Sequence, residues 1–284
     1  MPRHDPDIQL KTPEQIVMMR SAGLVVAAAL EAMREAVEPG VSTADLDAVA
    51  ERVIRAAGAT PSFLNYHGFP ASICSSVNEQ VVHAIPAPGA VLREGDLISL
   101  DCGAVLDGWH GDAAITVGVG ETDPELLTMA SVAEDAMWAG IAAAARRTAS
   151  GKGRLTDISS AIEKSIRRSG RRYGIVEGYG GHGIGTEMHQ EPHVLNYGRP
   201  GHGPRLIPGM ALAIEPMITM GSPRTVVLSD EWTVVTRDRS VAAHVEHSIA
   251  LLEDGVWVLT APDGGRERLG DLVTARQPAV GATH

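Results

Sequence analysis

The apolar positions of this chain recur first at helical spacing. From residue 13 to about 37 they run through Val17, Met18, Leu24 and Leu30. Thr12 is placed to cap that helix, Pro13 suits its first position, and Gln15 completes a capping box. Pro39-Gly40 ends it, and a second helix is expected from about Thr43 to Gly58, a good C-terminal cap. Between about 60 and 122 the pattern changes to short apolar runs punctuated by Pro, Gly, Asn and Ser, as in a sheet with loops. Two runs, 97–105 and 111–119, flank Asp107-Gly108, a strong two-residue hairpin signal. Helical spacing returns at about 124–148 and 156–170, and strand-like segments then alternate with Gly/Pro loops to about Thr260. The last stretch, 261–284, reads as a loose or surface-packed tail.

The pattern repeats. The helix from Asp45 to Gly58 aligns without gaps on Asp157 to Gly170, with Asp, Glu, Ile, Arg and Gly at the same places. Gly89, Leu92, Gly95, Ile98, Leu100 and Asp101 align on Gly203, Leu206, Gly209, Leu212, Ile214 and Glu215. Asp112, Ile115 and Val117 align on Glu246, Ile249 and Leu251. Any two amphipathic helices look alike, but three ordered matches argue for duplication. Two units are too few for a solenoid, so an α+β body of two pseudo-symmetric halves, about 9–122 and 123–260, is expected.

Composition narrows the functional classes. The 284 residues carry a net charge of -11, which lacks the electrostatic footprint of a general nucleic-acid binder and gives no attraction to anionic membranes. No apolar run is expected to reach the roughly 18 residues of a membrane span, and the polar N-terminus shows no secretory signal. Two cysteines, Cys74 and Cys102, exclude a disulfide framework and a cysteine-based zinc site. A soluble cytoplasmic protein is the expectation.

The candidate chemistry lies in carboxylates where apolar side chains are expected. Asp101, Asp112, Glu215 and Glu246 sit in or beside apolar strands, and no arginine lies in those strands. Burying an unpaired carboxylate costs several kcal/mol, about the net stability of a domain. A two-residue turn at Asp107-Gly108 places residue 103 opposite Asp112. Asp101 is then a diagonal neighbour of Asp112 on the same face, at about 7–8 Å, near enough to share a cation. The repeat makes Glu215 and Glu246 the counterparts of that pair. Four converging carboxylates repel severely unless divalent cations sit among them. The strongest histidine candidate to join them is His182, whose flanking glycines allow close backbone approach, with His189 following in the same segment.

These residues lie in specific motifs: KTPEQIVMMRSAG, SICSSVNEQVVHAIP, DCGAVLDGWHGD, GYGGHGIGTEMHQEP, AIEPM, DEWTVVTRDRS and AHVEHSI. With them the chain resembles the type I methionine aminopeptidases, pita-bread metallopeptidases of family M24, subfamily A, over roughly residues 9–258. The resemblance implies a curved, mainly antiparallel sheet with outer helices and two divalent metal ions per chain. Asp101 would chelate one ion, Asp112 and Glu246 would bridge the pair, and His182 and Glu215 would complete the other site. Mn, Fe(II), Co and Zn all suit such donors, and the sequence does not choose among them. Glu215 would also shuttle a proton, His83 would sit near the substrate amine and scissile nitrogen, and His189 would steady the oxyanion. Tyr66, His67, Phe69, Cys74 and Trp232 would form the methionine pocket, aromatic faces suiting a thioether sulfur. The implied substrate is the N-terminal methionine of nascent polypeptides ahead of a small second residue. The implied setting is a monomer, with the ribosome exit region as a neighbour.

Phe63, Ala84 and Met188 depart from the family's usual residues at the pocket border. Four rival readings carry less. Proline-specific peptidases of the fold bring a further N-terminal domain, and type II relatives insert a helical block for which the spacing from Glu215 to Glu246 leaves no room. Non-catalytic binding modules of the fold lose metal ligands. Gly178-x-Gly180-x-x-Gly183 formally fits a dinucleotide fingerprint, but Pro192 follows soon after and no helical stripe does.

Overall fold

Thr12 accepts the Gln15 N–H and the Gln15 side chain accepts the Thr12 N–H, so a capping box opens helix α1 (Pro13–Ala36) as the sequence predicts. Helix α2 (Thr43–Ala56) starts on a second box between Ser42 and Asp45. Helices α3 (Pro124–Ala149) and α4 (Leu155–Arg168) lie within a few residues of expectation. These features belong to a computed structural model, which describes residues 7–274.

Helix α1 departs from one expectation: its length and composition would let it cross a membrane. It is a core helix instead. Ile16, Met19, Ala22, Val26, Ala29 and Met33 are buried. The guanidinium of Arg20 donates to the carbonyls of Val258, Leu259, Ala261 and Pro262, which ties α1 to the far end of the chain.

Among the described residues, nine strands form the central sheet, and all its strand pairings are antiparallel. Ile73–Val77 pairs with Leu97–Leu106, which turns at Asp107-Gly108 into Trp109–Gly118. That strand pairs at the midline with Glu246–Leu252, followed by Ala211–Ile214 and Gly181–Gly183. The seam relates the halves. Leu92 donates to the Val41 carbonyl at 2.8 Å where Leu206 donates to Gly153 at 3.0 Å. Gly95 donates to Val119 where Gly209 donates to Leu251, and isolated bridges join Ser42 to Val91 and Arg154 to Arg205. The duplication read from the sequence is therefore also a duplication of backbone bonds. The helices cover one face of the sheet with two apolar cores. One is built around Val26, Leu46 and Ile98, the other around Ile141, Ile158 and Leu212.

The stretch beyond residue 260 is packed as far as it is described. Ala261, Leu269 and Val273 join the second core, and Val273 bridges to Val256 in parallel. Arg268, in the short helix α5 (Arg266–Leu269), meets Asp135 at 2.6 Å. Apolar side chains at 269 and 273 explain why this part is not loose. The rest of the expected tail, 275–284, lies outside the described residues.

Candidate metal centre and substrate pocket

The face of the sheet away from the helices collects the acids. Gly103 stands opposite Asp112, as the hairpin arithmetic requires, and Asp101 stands opposite Ala114. Ala114 also faces Glu246 across the seam. The register His247 to Ile214, carried one residue further, brings Glu215 beside Glu246. On the other flank Cys74 is paired with Asp101. Paired residues share a face, so Cys74, Asp101, Glu246 and Glu215 form one row, with Asp112 two residues along from the small Ala114.

Backbone anchors hold the row. Ser248 Oγ donates to the Asp112 carbonyl at 2.7 Å and accepts the Asp112 N–H at 3.2 Å. Asn196 donates to the Glu215 carbonyl at 3.0 Å. His182 arrives on the edge strand Gly181–Gly183. A Cβ at Gly181 would stand 2.1 Å from the Ala213 carbonyl oxygen, and one at Gly183 would stand 2.1 Å from that of Glu191. No side chain fits at either place, which gives the glycines their reason.

All five expected ligands are buried. His182 Nε2 lies 3.5 Å from Glu215 Oε1 and 4.0 Å from Asp112 Oδ2. Its Nδ1 meets the Gly183 carbonyl at 2.9 Å. A carbonyl only accepts, so Nδ1 carries a hydrogen, which leaves Nε2 as the nitrogen able to offer a lone pair to a metal. Asp112, His182 and Glu246 offer donor atoms within 4.8 Å of one another, as do Glu215, His244 and Glu246. Asp101 shares the cavity but stands outside both tight groups.

The electrostatics call for cations. Asp101 Oδ1, Asp112 Oδ1 and Glu246 Oε1 are buried without a hydrogen-bond partner, and no Lys or Arg lines the cavity. Burial, with smaller contributions from neighbouring charges, holds the Asp101 carboxyl at about 7. Burial, Asp101 and Glu215 raise Asp112 well above the carboxylate range, and burial, Asp112 and Glu215 do the same to Glu246. Glu215 is the exception. Burial raises it, but the His244 contact and the imidazoles of His182, His244 and His189 outweigh burial and bring it below its ordinary value. Orphaned, repelling carboxylates with an imidazole in the ligand tautomer fit divalent metals.

A cavity of about 90 Å³ takes in the acids. It is lined by Phe63, Tyr66, Phe69, Cys74, Met188 and Trp232 together with His83, His182, His189 and the four acids. Phe69 and Trp232 meet edge-to-face at 5.1 Å. Of the departures noted in the sequence, Phe63 and Met188 are in the wall, while Ala84 is buried outside it. His67 is not brought into the pocket. Its backbone takes φ 48° and its side chain is exposed, edge-on to Tyr66 at 4.4 Å. Tyr66 Oη meets His189 Nδ1 at 2.8 Å. Burial, then Glu187 and Asp112, raise the Tyr66 pKa, so the phenol keeps its proton. Burial, then His182, lower His189 to about 4.

His244 is the site residue the motif reading passed over. The signal was there: His244 and Glu246 are two residues apart leading into a strand, the spacing that puts side chains on one face. Its Nε2 lies 3.5 Å from Glu215 Oε2.

The sequence profile of metallopeptidase family M24 matches residues 17–253. The chain is 55% identical over 246 residues to methionine aminopeptidase 1 of Mycobacterium tuberculosis, covering 85% of this chain and 91% of that one. It is 48% identical over 253 residues to the methionine aminopeptidase of Clostridium acetobutylicum, covering 89% and 98%. The crystal structure of methionine aminopeptidase from Thermotoga maritima superposes with a TM-score of 0.84 at 40% identity, covering 89% of this chain and 99% of that one. The pita-bread fold, the buried acid row and these matches lead to one statement: the chain belongs to metallopeptidase family M24.

Proposed function

We propose that this chain is a metallo-aminopeptidase that removes N-terminal methionine from polypeptides whose second residue is small. One observation carries the reading. A cavity of about 90 Å³ with an aromatic wall shares His83, His182, His189 and Glu215 with a trough of about 500 Å³ lined by Tyr179, Glu191, His193 and Met217. In this reading the first side chain occupies the aromatic cavity beside the acids and the rest of the chain leaves by the trough, so that the cleaved bond is the first one. The aromatic, thiol and thioether wall suits an unbranched sulfur side chain.

Asp101, Asp112, His182, Glu215 and Glu246 would hold two divalent ions, from among Mn, Fe(II), Co and Zn. Such ions, when bound, polarise the scissile carbonyl and lower the pKa of the attacking water. Ionised Glu215 accepts a proton from that water and returns it to the departing amine. With the Tyr66 phenol as donor to Nδ1, His189 carries its hydrogen on Nε2 and offers it to the developing oxyanion. His83 lies on the pocket wall with a φ of 60°. Burial lowers its pKa, and as a neutral imidazole it orients the substrate amine and scissile nitrogen. Nascent chains near the ribosome exit, in the cytoplasm, are the substrate population, and a monomer is the working unit.

The test uses two peptides, one beginning Met-Ala and one Xaa-Pro control without methionine. Each is offered to chelated protein and to protein reloaded with Mn or Co. Metal-dependent release of methionine from the first alone is expected. Cleavage of the proline control would move the chain to the proline-specific branch of the fold. Silence on both with metal bound would make it a binding module.

A further inference from the structure

Glu215 stands between two buried imidazoles. His182 Nε2 is 3.5 Å from its Oε1, and His244 Nε2 is 3.5 Å from its Oε2. The two rings are held differently. His182 is fixed through its ring, by the Nδ1 contact with Gly183. His244 is fixed through its backbone, by the first half of the molecule. Its N–H donates to Ser99 Oγ and Thr116 Oγ1, each at 3.1 Å, and its carbonyl accepts from Thr116 Oγ1 at 2.6 Å. The two hydroxyls also bond each other at 2.8 Å. Behind it, His244 is paired with Met217, two residues past Glu215. Strands from both halves therefore fix the ring's position against the carboxylate.

His244 Nε2 is buried and makes no hydrogen bond of ordinary geometry. Unlike His182, which is expected to face Glu215 across a metal ion, a His244 lone pair with no ion between would face a carboxylate oxygen and repel it, whereas an N–H attracts it. At 3.5 Å the contact is at the outer limit of hydrogen bonding, and catalytic contacts of this kind tighten in the substrate complex. We infer that His244 is a positioning residue: it donates Nε2–H to Oε2 of Glu215 and thereby reserves Oε1 for the metal and the travelling proton. The two oxygens of one carboxylate then have separate tasks, and the His244 contact keeps the Glu215 carboxylate from turning. This inference rests on the aminopeptidase reading of the site.

Because His244, Glu215 and Glu246 offer donor atoms within 4.8 Å, direct ligation by His244 is the rival outcome. The test compares wild type, His244→Leu and His244→Gln, the last keeping an N–H donor of similar reach. Calorimetric titration with Mn, pulsed EPR counting of imidazole nitrogens on bound Mn, and steady-state methionine release are read together. His244→Leu is expected to weaken metal binding by about 10–100-fold, the loss typical of an outer partner. It should lower kcat while KM stays within about twofold. His244→Gln should restore both to within a few-fold, and one imidazole should be counted in all three proteins. Two imidazoles in wild type and one in His244→Gln would make His244 a ligand and overturn the proposal. So would unchanged affinity and kcat in His244→Leu. A His244→Gln protein that melts like wild type but shows no rescue would overturn it as well. If wild type released no methionine, the aminopeptidase reading would fail, while affinity and imidazole count would still judge the role of His244.

Discussion

In the first half of the sheet, the chain passes from Asp101 to Asp112 through a tight turn at Asp107-Gly108. In the second half it uses residues 216–245 to pass from Glu215 to Glu246. That longer path carries Trp232 to the pocket and His244 to Glu215. The segments after the paired helices differ as well. The one following α2 supplies Phe63, Tyr66, Phe69 and Cys74, and the one following α4 supplies His182 and His189. The repeated frame places acids on both sides of the seam, and the unrepeated segments decide their charge. Imidazoles keep Glu215 below its ordinary pKa, while Asp101, its counterpart in the repeat, is held at about 7 mainly by burial.

The largest effect should come from the residues nearest the seam. Asp112→Ala and Glu246→Ala each remove a donor that both sites are expected to share. Each should abolish tight metal uptake by calorimetry and lower methionine release by far more than the about 10–100-fold typical of an outer partner. Near-normal turnover in either, with metal supplied, would end the two-metal reading. Next, a loop-borne residue should separate catalysis from metal binding. His189→Ala should keep its metal and lose about 10²–10³ in kcat, and an unchanged rate would demote it to packing.

The acids themselves should show the asymmetry in metal-free protein. Asp101 has a folded pKa of about 7, raised from 3.8. The folded state therefore binds its proton more tightly than the unfolded state does. The stability this confers is present below about pH 4 and is lost as pH rises through about 7. In chelated protein, Asp101→Asn should match wild type near pH 4 and exceed it increasingly toward pH 7, by on the order of a few kcal/mol. Thermal melts across that window measure it, and a constant offset would contradict the pKa. The smallest effect compares the helix caps. Ser42 accepts the Asp45 N–H as well as donating to its carboxylate, whereas in the second half Asp157 accepts from the Arg154 N–H and Arg154 offers no acceptor in return. Ser42→Ala should cost about 1 kcal/mol and Arg154→Ala clearly less, as read by denaturant melts.

Much of this was legible beforehand, and the particulars show why. The turn at Asp107-Gly108 fixed the register that puts Asp101 and Asp112 on one face, because a two-residue hairpin leaves no slack. The glycines around His182 marked a place with no room for a Cβ. His67 misled, because motif spacing does not show that a left-handed backbone turns its ring outward. Helix α1 is long and apolar enough to cross a membrane, against the expectation from apolar runs, and its burial against the sheet is a tertiary fact.

The sequence by itself determined the helices, the hairpin, the duplication and the identity of the acids, since capping, turn chemistry and periodicity act over a few residues. Only the tertiary structure decided that the halves close along the pairing of Glu246 with Ala114. It also decided that Ser99 and Thr116 of one half clamp His244 of the other. Buried charges respond to neighbours far apart in the chain. Their pKa values, and with them the separate roles proposed for Glu215 and Asp101, exist only once those neighbours are assembled in a medium of low dielectric.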